Sequence, residues 1–192
     1  MALTKYKLGE LISLVDERNS NNSFGADYVV GLGTQKEIIP TKADLDGVSL
    51  TSYKLFPPKS FAYVPVTSRN GEKITIAPNT TKQTYIVSAS YLVFKVQRED
   101  ILLPDYLFIY FNRAEFDRYA RFHSWGSARE LFSRQDLTEV EIPIPALEVQ
   151  RSIAAVYEVY RTRQKILEQL KEQLKKICPI LIKGSLDEGA AT

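Results

Sequence analysis

Residues 126–154 read GSARELFSRQDLTEVEIPIPALEVQRSIA, and the pattern changes three times within them. A turn of small residues carries Arg129. Ser133 and Asp136 then form the Ser-x-x-Asp start signal of a short helix, a capping box with aspartate in place of the longer glutamate. Residues 141–145, EIPIP, read as a last strand. Pro143 and Pro145 close it as an edge or an exit, because neither has an N–H to offer a neighbour. From Glu148 the period becomes helical and stays so.

That last pattern is a heptad repeat. Ile153, Tyr160, Leu167, Leu174 and Leu181 recur at one seam position, and Val156, Arg163, Leu170 and Ile177 at the other. Four heptads argue for a coiled coil rather than a surface helix. Arg163 interrupts the seam; a polar seam residue costs stability and fixes register or orientation. Pro179 is expected to kink or end the helix, since it lacks a donor and clashes with the preceding turn. A helix from about 147 to 178 is roughly 45 Å long at 1.5 Å per residue. A stripe of that length calls for a second helix; the alternative is a helix folded back on its own domain.

Upstream lie seven short β-like runs: YVVGLG, KEII, SYKLF, SFAYVPV, KITIA, TYIVS and YLVFKV. Rich in Val, Ile, Tyr and Phe and separated by Gly, Pro, Asn and Asp, they predict a curved antiparallel or mixed sheet. PPKSF and SRNGEK read as turns, with Asn70-Gly71 suited to the positive φ of a hairpin. Near the N-terminus, Leu8, Leu11, Ile12 and Val15 have helical spacing, although ISLV suits a strand equally. Residues 103–124 read as helical with a break near Asn112, starting at Pro104 and Asp105. Leu107, Phe108, Phe111, Phe116, Tyr119 and Phe122 are expected on its inward face. The predicted class is α+β: a globular domain over 1–146 with a curved sheet and flanking helices. A long coiled-coil helix over 147–183 and a flexible tail over 184–192 follow.

The chain has 192 residues, 44% of them hydrophobic, enough for a real core. A single cysteine, Cys178, can close no internal disulfide, which suits a reducing cytoplasm. No secretory signal core opens the chain, and no run approaches the ~20 apolar residues of a membrane span. The net charge of +2 hides an asymmetry. From Lys54 to Arg98 there are seven basic residues (Lys54, Lys59, Arg69, Lys73, Lys82, Lys95, Arg98) against one acid, Glu72. Such segregation is the footprint of a polyanion-binding face or of a solvated basic sheet face.

Catalytic signatures are missing. The glycines of GADYVVGLGTQK lead to no GK[ST], and there is no GxGxxG. His123 and Cys178 are single, so metal clusters and Ser-His-Asp or Cys-His triads have almost nothing to draw on. His123 itself suits either a phosphate or base contact or simple packing at a helix end. The expectation is a chain with no catalytic residue and no metal or cofactor of its own.

The segment 126–154 resembles the end of a target recognition domain in the specificity (HsdS) subunits of type I restriction–modification systems. The resemblance rests on Gly126, Arg129, Phe132, Ser133, Asp136, Leu137, Ile142 to Pro145, Leu147, Glu148, Gln150 and Ile153. YKLGEL, SYKLFPPKSFAYVPVTSRNG, IVSASYLVFKV and LPDYLFIYF extend it over nearly the whole chain. The family implies a non-catalytic subunit that reads double-stranded DNA and uses long helices as spacers and docking surfaces. Its partners are methyltransferase subunits, which bind S-adenosylmethionine and methylate adenine, with a restriction subunit joining some complexes. Typical members carry two recognition domains and two helices; this sequence carries one of each and resembles a half-length subunit. Pairing with a second copy, or with another specificity chain, would complete it. Two-fold pairing implies a gapped palindromic target.

Within that frame the expected DNA-binding residues are Thr67, Ser68, Arg69, Asn70, Lys73, Lys82, Ser124 and Arg129. Arg69 offers a bidentate contact to guanine and Asn70 one to adenine, while Lys73 and Lys82 suit phosphates. Asn70 has a purely turn-forming alternative. Trp125 suits a core edge as well as a base, and Arg129 suits a pair with Glu130 or Asp136. The expected dimer seam is Ile153, Val156, Tyr160, Arg163, Leu167, Leu170, Leu174 and Ile177. Arg161, Lys165, Glu168, Lys171 and Glu172 on the outer face suit partner docking or plain solvation. A reading of another class is a coiled-coil interaction or competitor protein that modulates a full-length specificity subunit. It predicts dimerisation without sequence-specific DNA binding, or a loss of methylation.

Overall fold

The computed structural model describes residues 3–68 and 73–189, with side chains of the last helix through 183. The chain divides into two compact units, Met1–Arg151 and Ser152–Thr192.

In the first unit, the strands are β1 (Thr4–Lys7), β2 (Ile12–Leu14), β3 (Val30–Leu32), β4 (Ile38–Pro40) and β5 (Lys54–Phe56). They continue with β6 (Ser60–Tyr63), β7 (Ile76–Pro78), β8 (Tyr85–Val87), β9 (Leu92–Val96) and β10 (Glu141–Ile144). All seven β-like runs contain a strand. They do not form one curved sheet. Among the described residues they divide into a four-stranded sheet, β2-β9-β6-β7, and three antiparallel pairs, β1-β10, β3-β4 and β5-β8. Strands of three to five residues, with Pro40 and Pro78 ending β4 and β7, leave few N–H groups to carry a ladder further. The N-terminal ambiguity resolves as a strand: Leu8 sits in a short 3-10 turn and β2 pairs with β9, Ile12 opposite Val96. Helical spacing was met there by a buried turn and strand, not by an amphipathic helix.

Helix α1 (Pro104–Phe111) and helix α2 (Ala114–Phe122) are separated at Asn112, as the sequence predicts. Leu107, Phe108, Phe111 and Phe116 are buried, but Phe122 is 72% exposed, so the inward face ends before it. The centre of the unit is aromatic. Phe61 stacks on Phe94 at 5.2 Å, and both meet Phe111 edge-on. Helix α3 (Arg134–Glu139) starts at a complete capping box: Asp136 N donates to Ser133 Oγ, and Ser133 N donates to Asp136 Oδ2 at 2.9 Å. The strand β10 returns to pair with β1, Thr4 opposite Ile144, so the two ends of the unit close on each other.

Helix α4 (Leu147–Gly189) starts where the sequence places it and is anchored by Gln150. This side chain is fully buried and satisfied. Its Nε2 donates to Ile101 O and Pro145 O, each at 2.8 Å, and its Oε1 accepts from Leu103 N at 2.9 Å. The helix does not end at Pro179. Its backbone stays helical on both sides of Pro179, although the proline removes one donor and crowds the preceding turn. The helix also runs into the segment expected to be a tail, through Gly189. In the second unit the apolar seam residues Val156, Tyr160, Leu167, Leu170, Leu174, Ile177 and Leu181 are all exposed.

Candidate nucleic-acid interface

Two stretches 63 residues apart in sequence, at Thr67 and Glu130, are joined by backbone pairing. Val66 bridges Leu131, and Trp125 bridges Leu131 in turn. Thr67 N donates to Glu130 O at 2.9 Å, Phe132 N to Pro65 O at 2.9 Å, and Leu131 N to Trp125 O at 2.9 Å. The sequence offers the 67–73 turn and the 124–129 loop as separate candidate surfaces; the fold bonds Thr67, at the start of the first, to Glu130, just past the second.

The turn between the bridged residues is held tightly. Gly126 has φ +141°, and a Cβ placed there would lie 2.1 Å from Arg129 O. Only glycine fits such a position without moving backbone. Arg121 pairs with Glu130 across the turn. Arg129 therefore holds neither expected acid: Glu130 is taken by Arg121, and Asp136 by the cap of α3.

The candidate residues sort by burial. Thr67 is buried and its hydroxyl donates to Glu130 O at 3.2 Å. Ser124 is buried and its hydroxyl donates to Ala120 O at 2.6 Å. Both hydroxyls are bonded inside the unit, beneath the surface rather than on it. Ser68, Trp125, Ser127 and Arg129 are exposed. Arg69 and Asn70 lie outside the described residues. Lys73 is exposed, 3.5 Å from Gln35 Oε1, and Lys82 is exposed on a turn organised by Asn79, whose Nδ2 reaches Phe56 O and Gln83 O. His123 packs on Tyr119 with ring centroids 4.2 Å apart, the helix-end packing of the two expected alternatives.

The basic stretch is thinner on the surface than in the sequence. Lys54 is buried and bonds Asp16 at 3.1 Å; Arg98 is held by both oxygens of Asp100 at 2.9 Å. Lys59, Lys73, Lys82 and Lys95 remain exposed. One charge cluster has no sequence signal. Lys36, at φ +63° and nearly buried, donates to Asp117 at 2.8 Å and to Phe111 O. The same Asp117 oxygen accepts Ile74 N at 3.1 Å. Burial pulls the Lys36 ammonium below its ordinary range, against the opposing pull of Asp117. One carboxylate thereby ties the 33–37 turn and the start of the 74–78 segment to α2.

Among the described residues there is no group of three or more His, Cys, Asp or Glu placed to hold a metal. No helix among them is long and apolar enough to cross a membrane.

The sequence matches the family described as "Type I restriction modification DNA specificity domain" over residues 7–176. The chain belongs to the type I restriction–modification specificity family. No curated protein sequence matches it. Solved specificity subunits share the fold. The HsdS subunit from Thermoanaerobacter tengcongensis superposes with TM-score 0.63 at 19% identity, covering 94% of this chain and 47% of that one. The S subunit from M. genitalium gives 0.57 at 15% identity, covering 92% and 43%. A chain solved in work on complex assembly and conformational transition of the type I R-M system gives 0.53 at 15% identity, covering 90% and 41%. The specificity chain described here thus spans about half the length of the structures it matches. The resemblance read from residues 126–154 was correct, and those residues are where the recognition unit hands over to the helix.

Proposed function

We propose that this chain is the DNA-reading subunit of a type I restriction–modification complex. Two copies pair through α4, read a gapped palindrome and position methyltransferase subunits on it. The observation that carries the reading is the exposed heptad seam of α4 in a member of a DNA specificity family. Exposed Val, Leu and Ile along many turns favour association, at about 25 cal/mol per Å² of apolar surface covered. Val159, Ile166 and Ile180 are exposed beside the seam and widen the stripe beyond a strict two-helix contact. That width supports a further helix from a partner, a methyltransferase subunit in this reading. A restriction subunit can join the same scaffold.

Affinity comes from exposed lysines on phosphates and specificity from the surface around Ser68, Trp125, Ser127 and Arg129. Arg69 and Asn70, next after Ser68 in the sequence, keep their expected roles at guanine and adenine. Adenine methylation, with S-adenosylmethionine, belongs to the partner, and this chain supplies the address. The test is single-molecule mapping of methylated adenine across the source genome with and without the gene. Loss of one gapped palindromic motif is the expected result. Loss of an asymmetric motif would replace the second copy with another specificity chain, gain of a motif would make this a competitor, and no change would sink the reading.

A further inference from the structure

Phe122 and Trp125 are 72% and 67% exposed, within four residues of each other, where the sequence predicts a core face and leaves a core edge open. Phe122 is backed by other rings, and Trp125 stands on a fixed backbone. Phe122 meets His123 edge-on at 5.2 Å, His123 lies on Tyr119 at 4.2 Å, and Tyr119 meets the fully buried Phe132 at 6.4 Å. A ladder of rings therefore runs from the core to the surface. Trp125 is pinned by two backbone bonds to Leu131 and by the tight turn at Gly126. Leu131 adds a further exposed apolar side chain. Large exposed rings carried on an ordered backbone suit a contact group, since they offer much contact area for few rotatable bonds.

The charge around these rings points to a polyanion. From Arg113 to Arg134 there are five arginines and three acids. Each acid is engaged within the chain: Glu115 with Arg113 and Arg118, Asp117 with Lys36, Glu130 with Arg121. Arg129 is exposed and makes no salt bridge among the described residues. The faces of the bases in an intact duplex are covered by stacking, so the apolar group it displays in a groove is the thymine C5-methyl.

We propose that Phe122 and Trp125 form an apolar surface that reads thymine methyl groups in the major groove. The proposal rests on the DNA-reading function above. Its test uses the full chain, in the assembly in which it purifies, and a duplex carrying the motif found by methylation mapping. Replacing every thymine by deoxyuridine removes only the methyls. Wild-type affinity should fall roughly tenfold, the worth of about one base-pair contact. F122A/W125A should bind the thymine duplex with a similar loss and show no further loss on the deoxyuridine duplex. Equal wild-type affinity for the two duplexes would overturn the proposal, and so would an undiminished deoxyuridine effect in the double variant. Weaker methyltransferase co-purification at unchanged DNA affinity would overturn it too, making the patch a protein-docking surface. The deoxyuridine arm uses wild-type protein and stands even if the variant misfolds. Failure of wild type to prefer the mapped duplex over a scrambled one would instead remove the DNA-reading function itself.

Discussion

Asp117 shows what one buried carboxylate can hold. It neutralises Lys36 and caps Ile74 N, so Asp117→Ala leaves an uncompensated ammonium among apolar groups. The expected loss is about 3–5 kcal/mol by urea denaturation, whereas Lys36→Met combined with Asp117→Leu should recover much of it. The pH dependence has a definite sign. The folded Lys36 pKa lies below the ordinary lysine value of 10.5, so between the two the unfolded chain binds more protons than the native one. Stability of Asp117→Ala should therefore rise as pH climbs toward 10.5, more steeply than in wild type; a flat or falling profile would refute the burial argument. Gly126→Ala forces backbone apart at Arg129 and should cost about 1–3 kcal/mol in the same measurement. The sequence marks Gly126 and Gln150 as parts of a motif, but their reasons are tertiary: a 2.1 Å approach and three partners in two other segments. Lys36 and Asp117 give no signal at all, being 81 residues apart without spacing or motif.

Elements with a strong local cause were legible. The α3 cap needs only Ser133 and Asp136, and Ser133→Ala should lower stability by about 1 kcal/mol. The strands β3 to β9 each follow a β-branched or aromatic run bounded by breakers, so their existence is a local matter. Their grouping into sheets is not, because pairing depends on partners far along the chain, as with Phe61 opposite Phe94. The 8–15 stretch stayed open between helix and strand for the same reason: helical spacing and a buried turn place the same leucines inside. Helix α4 carries its own test. Leu167→Glu with Leu170→Glu buries like charges in the proposed seam and should turn a dimer into a monomer in sedimentation velocity. A wild-type chain already monomeric at micromolar concentration would remove the seam.

At the scale of the whole molecule, the proposed division of labour separates reading from measuring. Deleting one heptad from within 160–173 shortens a helix by roughly 10 Å, about three base pairs of B-DNA. The methylated motif should keep both half-sites and lose about that much of its gap, scored by methylation mapping. Altered half-sites would show that α4 takes part in reading and would break the division proposed here.

The sequence by itself determined the family, the strand-rich unit and the helix that follows it, because periodicity, caps and turn residues act over a few neighbours. Heptad spacing also marked which helix face is apolar without any partner in view. Tertiary structure decided which polar groups are free. It drew Thr67, Ser124 and Lys54 into internal bonds, set Thr67 against Glu130 beside the Trp125 turn, and left Phe122 on the outside. Thr67 and Lys54 find their partners, Glu130 and Asp16, dozens of residues away, where no local pattern reaches, whereas the Ser124 bond to Ala120 is local and only its burial is tertiary.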